Sequence, residues 1–469
     1  MRVKLTVLVA TTLFIVTSTH RAYAESRWSN TAGGTLDWNT SGNWQGTFPP
    51  GATDDVRITN DLGSAQLITN MGSSVGAGIT NAINFLAISN GLGSASVTVQ
   101  QGGGLFRSTF GIQIGKNATL ILTTNSLIGT NLNLTFDLRP GGGSAGTLVL
   151  SNASPTSGFS TFINNANSAP INNSGTILFN PNGNQLVSIN YGQTTLLTNN
   201  AVGTVVMNGT GTGAFIGNFG NSNTRIVNNG SIFVQAGTLR LDPRNAFSGG
   251  GFQNASTGFV QVNTGGTFEL RRTTNAWTAG TAVTNLGTVF MNGGTMLTFD
   301  TDQNGNLLTN ALGQVTITTN TTRVFQNVGI IKGSGAILAS LNDLSGSTLA
   351  PGFGTFQTLN IGGNVTMGSN STLSIVVGSS AGQNDLLAVG SNLTLNANSI
   401  LNLSGGAVGN VYTVATSFAE SGTFGTVTPN YNVTYAGNDI MVQFIPEPST
   451  MMLAAAGLLG LIALRRRSS

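Results

Sequence analysis

Two groups of side chains in this chain combine residue types and spacing that could do chemistry. The first is Asp300-Thr301-Asp302-Gln303-Asn304-Gly305-Asn306. Two aspartates and an asparagine at alternate positions, followed by glycine, match the first half of a calcium loop, where carboxylate and amide oxygens converge on the ion. The twelfth position, which should hold a bidentate glutamate, is Ala311 and cannot ligate. Asp300, Asp302 and Asn304 are therefore candidate ligands of a weak Ca2+ site. The competing reading, which the missing glutamate favours, is a polar hairpin whose Asp and Asn side chains cap their own backbone. The second group is Glu269 with Arg271 and Arg272, the densest charge cluster outside the C-terminal tail. Arg240, Asp242 and Arg244 lie about one repeat upstream and could share its face. A carboxylate among basic residues in a groove would suit cleavage of a polysaccharide. The alternative is a solvated ion-pair ladder, which stabilises little per pair. No paired carboxylates recur at a spacing that would align an acid with a base, so the ladder is the favoured reading.

Composition narrows the chemistry further. The chain has no cysteine, and its only histidine, His20, lies in the N-terminal apolar leader. Without either residue beyond the leader, Ser-His-Asp and Cys-His nucleophile systems are excluded, as are zinc sites built on His or Cys. Export would bring no disulfides. Only 7% of residues are charged, which leaves general acid–base work to a few carboxylates, lysines, arginines and tyrosines. The formal charge of +3 belongs to the ends. Setting aside Arg2, Lys4, Arg21 and Arg465–Arg467 on one side and Glu447 on the other leaves about −2. A basic surface for nucleic acid is absent.

The elements that must position these groups are strands. Gly, Asn, Thr and Ser are abundant, helix formers are scarce, and Ile, Val, Leu and Phe fall in short alternating runs. Strand candidates in the first part include 95–100, 112–114, 119–122 and 132–136, without a clear period. Beyond them a period becomes explicit in INNSGTILF, TNNAVGTVVM, IVNNGSIFV, FQNASTGFVQV, VTNLGTVFM, LTNALGQVTI and FQNVGIIKG. The marker glycines are Gly175, Gly203, Gly230, Gly258, Gly287, Gly313 and Gly329, about 28 residues apart except for the last, shorter step. A unit of this length with two or three strands suits one coil of a parallel β-helix, because each coil exposes an apolar face that the next one covers. Asparagines at equivalent positions can then form hydrogen-bonded ladders, and the glycines are expected to supply positive φ at the bends. Propeller blades are longer, and a string of sandwiches would not hold so regular a period.

The two ends concern delivery. Arg2 and Lys4, an apolar run from Leu5 to Val16 and Ala22-Tyr23-Ala24 read as a secretory signal peptide cut after Ala24. At the other end, Pro446-Glu447-Pro448 breaks the chain, and Met451 to Leu464 follows without a charge. Arg465, Arg466 and Arg467 then hold the terminus on the cytoplasmic side. The apolar run is expected to be a short transmembrane helix. Its fourteen residues rise about 21 Å, short of a hydrocarbon core of about 30 Å. Ser449, Thr450 and the stems of snorkelling arginines bring it closer to a thin-membrane span.

The order Pro-Glu-Pro, apolar helix, arginine cluster resembles the PEP-CTERM sorting signal of Gram-negative, exopolysaccharide-producing bacteria. The resemblance implies that an exosortase-type membrane protease cuts near Pro446–Pro448 and releases or re-attaches the upstream part at the cell surface. Residues 28–444 resemble autotransporter passengers more loosely. The resemblance rests on Trp28, Trp38 and Trp44 in the opening stretch, the Leu349-Ala350-Pro351-Gly352 turn, and a closing run rich in Tyr and Phe. In those proteins the opening stretch starts a solenoid. Here the tryptophans read as a cap over the first coil or, less favoured, as a platform for sugar rings.

The resulting reading is all-β, a right-handed parallel β-helix (β-solenoid) with coils of about 28 residues plus the C-terminal transmembrane helix. Residues 1–24 are the signal peptide, 25–60 an N-terminal cap, 61–345 the solenoid repeats, 346–444 the C-terminal coils and closing meander, and 445–469 the sorting signal. Whether residues 60–145 share the solenoid axis is left open. The expected function is that of a non-catalytic, exported structural or adhesive protein of the cell surface or extracellular matrix. It would work with exopolysaccharide in a biofilm. The alternative is a β-helix polysaccharide lyase or glycoside hydrolase. No cofactor is expected beyond the weak Ca2+ site. The expected partners are the exosortase-type protease, surface glycans and the membrane.

Overall fold

The computed structural model describes residues 25–45, 49–50, 54–58, 64–71, 81–89, 95–101, 106–123, 134–135, 146–151, 160–165, 171–183, 185–191, 196–217, 225–242, 251–273, 283–301, 325–352, 354–445 and 448–467. The signal-peptide reading of residues 1–24 thus lies outside the described residues, as do Pro446 and Glu447.

Strands form where apolar residues alternate with polar or half-buried ones. In Thr176–Asn180, Ile177 and Phe179 are buried while Thr176, Leu178 and Asn180 stay half-buried. A single strand of this kind has one face to cover and two unsatisfied edges, and stacking coils in parallel meets both needs at once. Fifteen strands, from Glu25–Arg27 to Ala419–Ser421, stack as one continuous parallel sheet. In the middle coils two further faces complete the turn, as in the succession Ile171–Asn173, Thr176–Asn180 and Leu186–Tyr191. The long strands Thr288–Thr301 and Ile330–Leu338 turn the corner between these two faces, with a register shift between Asn292 and Thr295. The fold is a β-solenoid. Asp55–Ile58, Asn81–Ile88, Phe106–Ile114 and Leu134–Thr135 take their places in the fifteen-stranded sheet, so the strands described in residues 60–145 share the solenoid axis.

One inward column on that sheet organises the core. It begins Trp28, Ile58, Ile88, Ile114 and ends Met367, Leu395. Between these apolar ends it reads Asn173, Asn199, Asn228, Asn254, Asn285, Asn327 and Asp343, all buried. Each amide donates from Nδ2 to the next Oδ1, at 2.7, 2.6, 2.7, 2.8 and 2.7 Å, and Asn327 donates to Asp343 Oδ1 at 2.6 Å. The second Nδ2 proton of Asn173, Asn199 and Asn228 goes to the backbone oxygens of Thr204, Ser231 and Phe259. Each of these three amides thus has both protons engaged, as burial of a polar group requires. The ladder expected from the repeated asparagines is present.

The ladder also corrects the period. Successive members are 26, 29, 26, 31, 42 and 16 residues apart. The 42-residue step arises because Asn285 pairs directly with Asn327 and Thr288 with Ile330. The repeat LTNALGQVTI, with Gly313, lies outside the described residues. The marker glycines have a different reason from the one expected. A Cβ on Gly230 would lie 2.2 Å from Gly203 O, and one on Gly329 2.1 Å from Gly287 O. They are required by the close approach of the coil beneath, and none of the described marker glycines has positive φ.

Both ends of the stack are closed. Trp28, Trp38 and Trp44 are buried and meet edge to face, with both centroid distances 4.9 Å. Their indole N–H groups donate to Gln66 Oε1 (Trp28) and to the Trp38 carbonyl (Trp44). Their faces are consumed in the core and are not a sugar platform. At the other end the chain reverses: Asp439–Phe444 pairs antiparallel with both Val411–Thr416 and Tyr431–Ala436. This meander ends the parallel stack, where an open edge would invite further pairing.

Candidate functional site

Asp343 ends the amide ladder. Burial pushes its carboxyl up to about 7, against the pull of the hydrogen bond from Asn327. The six aligned amides point N–H groups toward it, which suits an anion, while the surrounding core opposes one. The group is structural, and it titrates in the physiological range.

The charge cluster forms, but differently from expectation. Arg240 and Glu269 are register partners on adjacent coils. Glu269 Oε1 lies 3.2 Å from Arg240 Nε and accepts a hydrogen bond from Arg271 Nε. Glu269 is buried, so the trio is not the solvated ladder the spacing suggested. Burial lowers the pKa of the Arg240 guanidinium, with Glu269 pulling it back up. Asp242 is buried on the same strand as Arg240, Arg244 lies outside the described residues, and of Arg272 only the backbone is described. An outward-facing strand position gave no sign in the sequence that it would be covered.

Of the candidate calcium ligands, Asp300 lies in the strand Thr288–Thr301 with its backbone paired to Arg272. Its side chain, and all of Asp302 and Asn304, lie outside the described residues. Among the described residues, no three His, Cys, Asp or Glu side chains converge as a metal site.

A cavity of ≈ 350 Å³, unannounced by any sequence motif, opens at the Pro351-Gly352 turn. Pro351, Phe356 and Val376 supply apolar walls, and Asp385 also lines it. The Asp385 carboxylate accepts from the backbone N–H groups of Gln357 (3.2 Å) and Val376 (3.0 Å), and burial raises its pKa. Gly352, at φ 82°, is needed there, since a Cβ would meet Asp385 Oδ1 at 2.0 Å. The carboxylate thus ties the turn to two coils.

A uniform, uncharged surface runs along the outward side of the second face. Over five successive coils one column reads Thr119, Thr147, Thr176, Thr204, Ser231. Two residues along the same strands the next column reads Ile121, Val149, Leu178, Val206, Phe233. All ten are half-buried and none is charged. Strands repeat about every 4.8 Å, so hydroxyls and apolar groups form parallel stripes along the axis.

The tail is the other candidate. Residues Pro448–Arg467 form one helix, with Met452, Leu453, Leu458, Leu459, Leu461 and Ile462 exposed. The expectation of a transmembrane helix needs correction: among the described residues no helix is long and apolar enough to cross a membrane. The charge-free run is short of a full hydrocarbon core by about 9 Å. Arg465, Arg466 and Arg467 close the helix as its last turn, and Pro448 is its first residue. Compared with known protein families, residues 444–467 match the PEP-CTERM protein-sorting motif. No curated protein matches the chain. The motif implies an exported protein, anchored transiently at the membrane by its C-terminus and recognised and processed by an exosortase, a membrane protease.

Proposed function

We propose that the processed chain is a structural or adhesive rod of the Gram-negative outer surface or extracellular matrix that associates with exopolysaccharide and catalyses nothing. What supports the reading is the striped face: hydroxyls beside apolar groups, repeated coil after coil without a charge. A polysaccharide presents the complementary chemistry, with hydroxyl edges and C–H faces repeating along a chain. Binding of this kind does not depend on charge steering. The test is co-sedimentation of the purified protein with exopolysaccharide from the producing cells, over a range of salt concentrations. Retention is expected to be insensitive to salt and to fall several-fold for the double variant Leu178→Ser, Phe233→Ser. Absence of retention, or loss of it at moderate salt, overturns the proposal.

Catalysis by a lyase or hydrolase is the second reading, and one observation favours it: a buried carboxylate flanked by two guanidiniums. Against it, Oε1 of Glu269 already engages both arginines, in a lattice of strands that would have to open for a substrate. Release of new reducing or unsaturated ends from the polysaccharide, abolished in Glu269→Gln, would establish it.

A further inference from the structure

The link between the solenoid and the tail is very short. The last strand ends at Phe444 and the helix starts at Pro448. Ile445, Pro446 and Glu447 intervene, so even fully extended the two elements are separated by no more than about 14 Å. Whatever holds the helix therefore holds the end of the solenoid next to it. That end carries an apolar rim. Val408, Val411 and Ile445 are 64%, 48% and 39% exposed. They lie together because Val411 pairs with Gln443, and Gln443 also donates to the Gly409 carbonyl. Tyr431 packs its ring on Phe444 at 5.3 Å and donates its hydroxyl to the Gly405 carbonyl, which places an amphipathic aromatic beside the exit of the tail. Residues 405–413 and 440–445 contain no charged side chain.

We infer that this rim is a membrane-interface docking surface: while the tail is uncut, Val408, Val411, Ile445 and Tyr431 sit among the lipid headgroups and hold the solenoid end-on to the bilayer. Two observations point to lipid as the occupant. The rim is continuous with the segment that anchors the protein, and the apolar helix is too short to fill the hydrocarbon by itself. A helix of this kind is accommodated by thinning the bilayer or by drawing its flanks into the interface. On one flank the arginines can extend back toward the headgroups. On the other flank the rim lies within reach, and tyrosine with apolar neighbours suits that depth.

The inference rests on the membrane anchoring that the sorting motif implies, and one experiment separates the two. Because the chain has no cysteine, single reporters can be introduced at Val408→Cys, Val202→Cys and Leu459→Cys. Each full-length variant carries an environment-sensitive dye and is reconstituted in phosphatidylethanolamine–phosphatidylglycerol vesicles containing a lipid-borne quencher. The expected result is strong lipid quenching at 459, quenching at 408 several-fold above that at 202, and a dye at 202 that reports water. If 459 is in lipid and 408 reports water, the docking surface is overturned while the anchored tail stands. If 459 itself reports water, both fail. If 408 becomes shielded only when the exosortase-type protease is co-reconstituted, the rim contacts protein and the lipid assignment is wrong.

Discussion

The same inward column is built in two ways along one rod. In the first coils it is Trp28, Ile58, Ile88 and Ile114, and in the last Met367 and Leu395; between them it is six asparagines and an aspartate. The apolar stretches gain from burial, but an isoleucine above an isoleucine carries little information about register. The amide stretch reverses the balance. Its groups must be taken out of water, and they are stable only when each faces the next at hydrogen-bond distance. This gives the middle coils a fixed point. Their lengths range from 16 to 42 residues, yet the asparagines stay in line. The column does not slip.

Swapping the two chemistries is the sharpest way to break this comparison. Ile88→Asn puts an amide between Ile58 and Ile114, with no partner on either side. It combines lost burial with an unsatisfied polar group, so a loss of about 4 kcal/mol is expected in urea unfolding. The reverse change, Asn228→Leu, leaves the Asn199 amide and the Asn254 carbonyl without their ladder partners but adds apolar burial. Its expected cost is smaller, about 2 kcal/mol. If Asn228→Leu proves neutral, the ladder is incidental.

Asp343 sharpens the comparison, because it is where amide chemistry gives way to apolar. Its pKa is raised from 3.8 to about 7, so between these values the folded protein holds a proton that the unfolded chain has released. Stability is then greatest below about pH 4 as far as this group is concerned, falls as pH rises toward 7, and levels off above it. The full swing is on the order of a few kcal/mol. Asp343→Asn should remove the slope and raise the melting temperature at pH 8 relative to the parent chain. An unchanged pH profile would show that the carboxyl is not protonated in the fold.

Breaking the buried ion trio bears on an outward column. Glu269→Gln leaves Arg240 and Arg271 facing each other with their shared anion gone. The expected loss is about 3 kcal/mol, partly recovered by adding Arg240→Met. A single variant within about 0.5 kcal/mol of the parent would return the cluster to the solvated ladder suggested by the spacing.

The legibility of the fold follows the same division. The middle coils could be read from sequence because asparagine and glycine recur there at fixed places, each for a reason: the amide for the ladder, the glycine for the backbone passing 2.2 Å from where a Cβ would be. The first coils could not, because Ile58, Ile88 and Ile114 look like any other core residues. The repeat containing Gly313 carries the same local marks, but it lies outside the described residues, and Asn285 pairs directly with Asn327. The sorting tail was fully legible, since its signal is an order of residue types, whereas its apolar run proved too short to cross a membrane unaided. The burial of Glu269 and the rim around Val408 depend on what folds over or stops short of each position, and alternation along a strand does not encode that.

The account turns on a rod delivered by a tail that is then removed. The most direct measurement is the intact mass and location of the protein in the producing cells, with and without an active exosortase-type protease. The account predicts that Met451–Ser469 are lost and that the remainder appears at the surface or in the matrix only when the protease is active. A full-length tail persisting in the membrane under both conditions would contradict it.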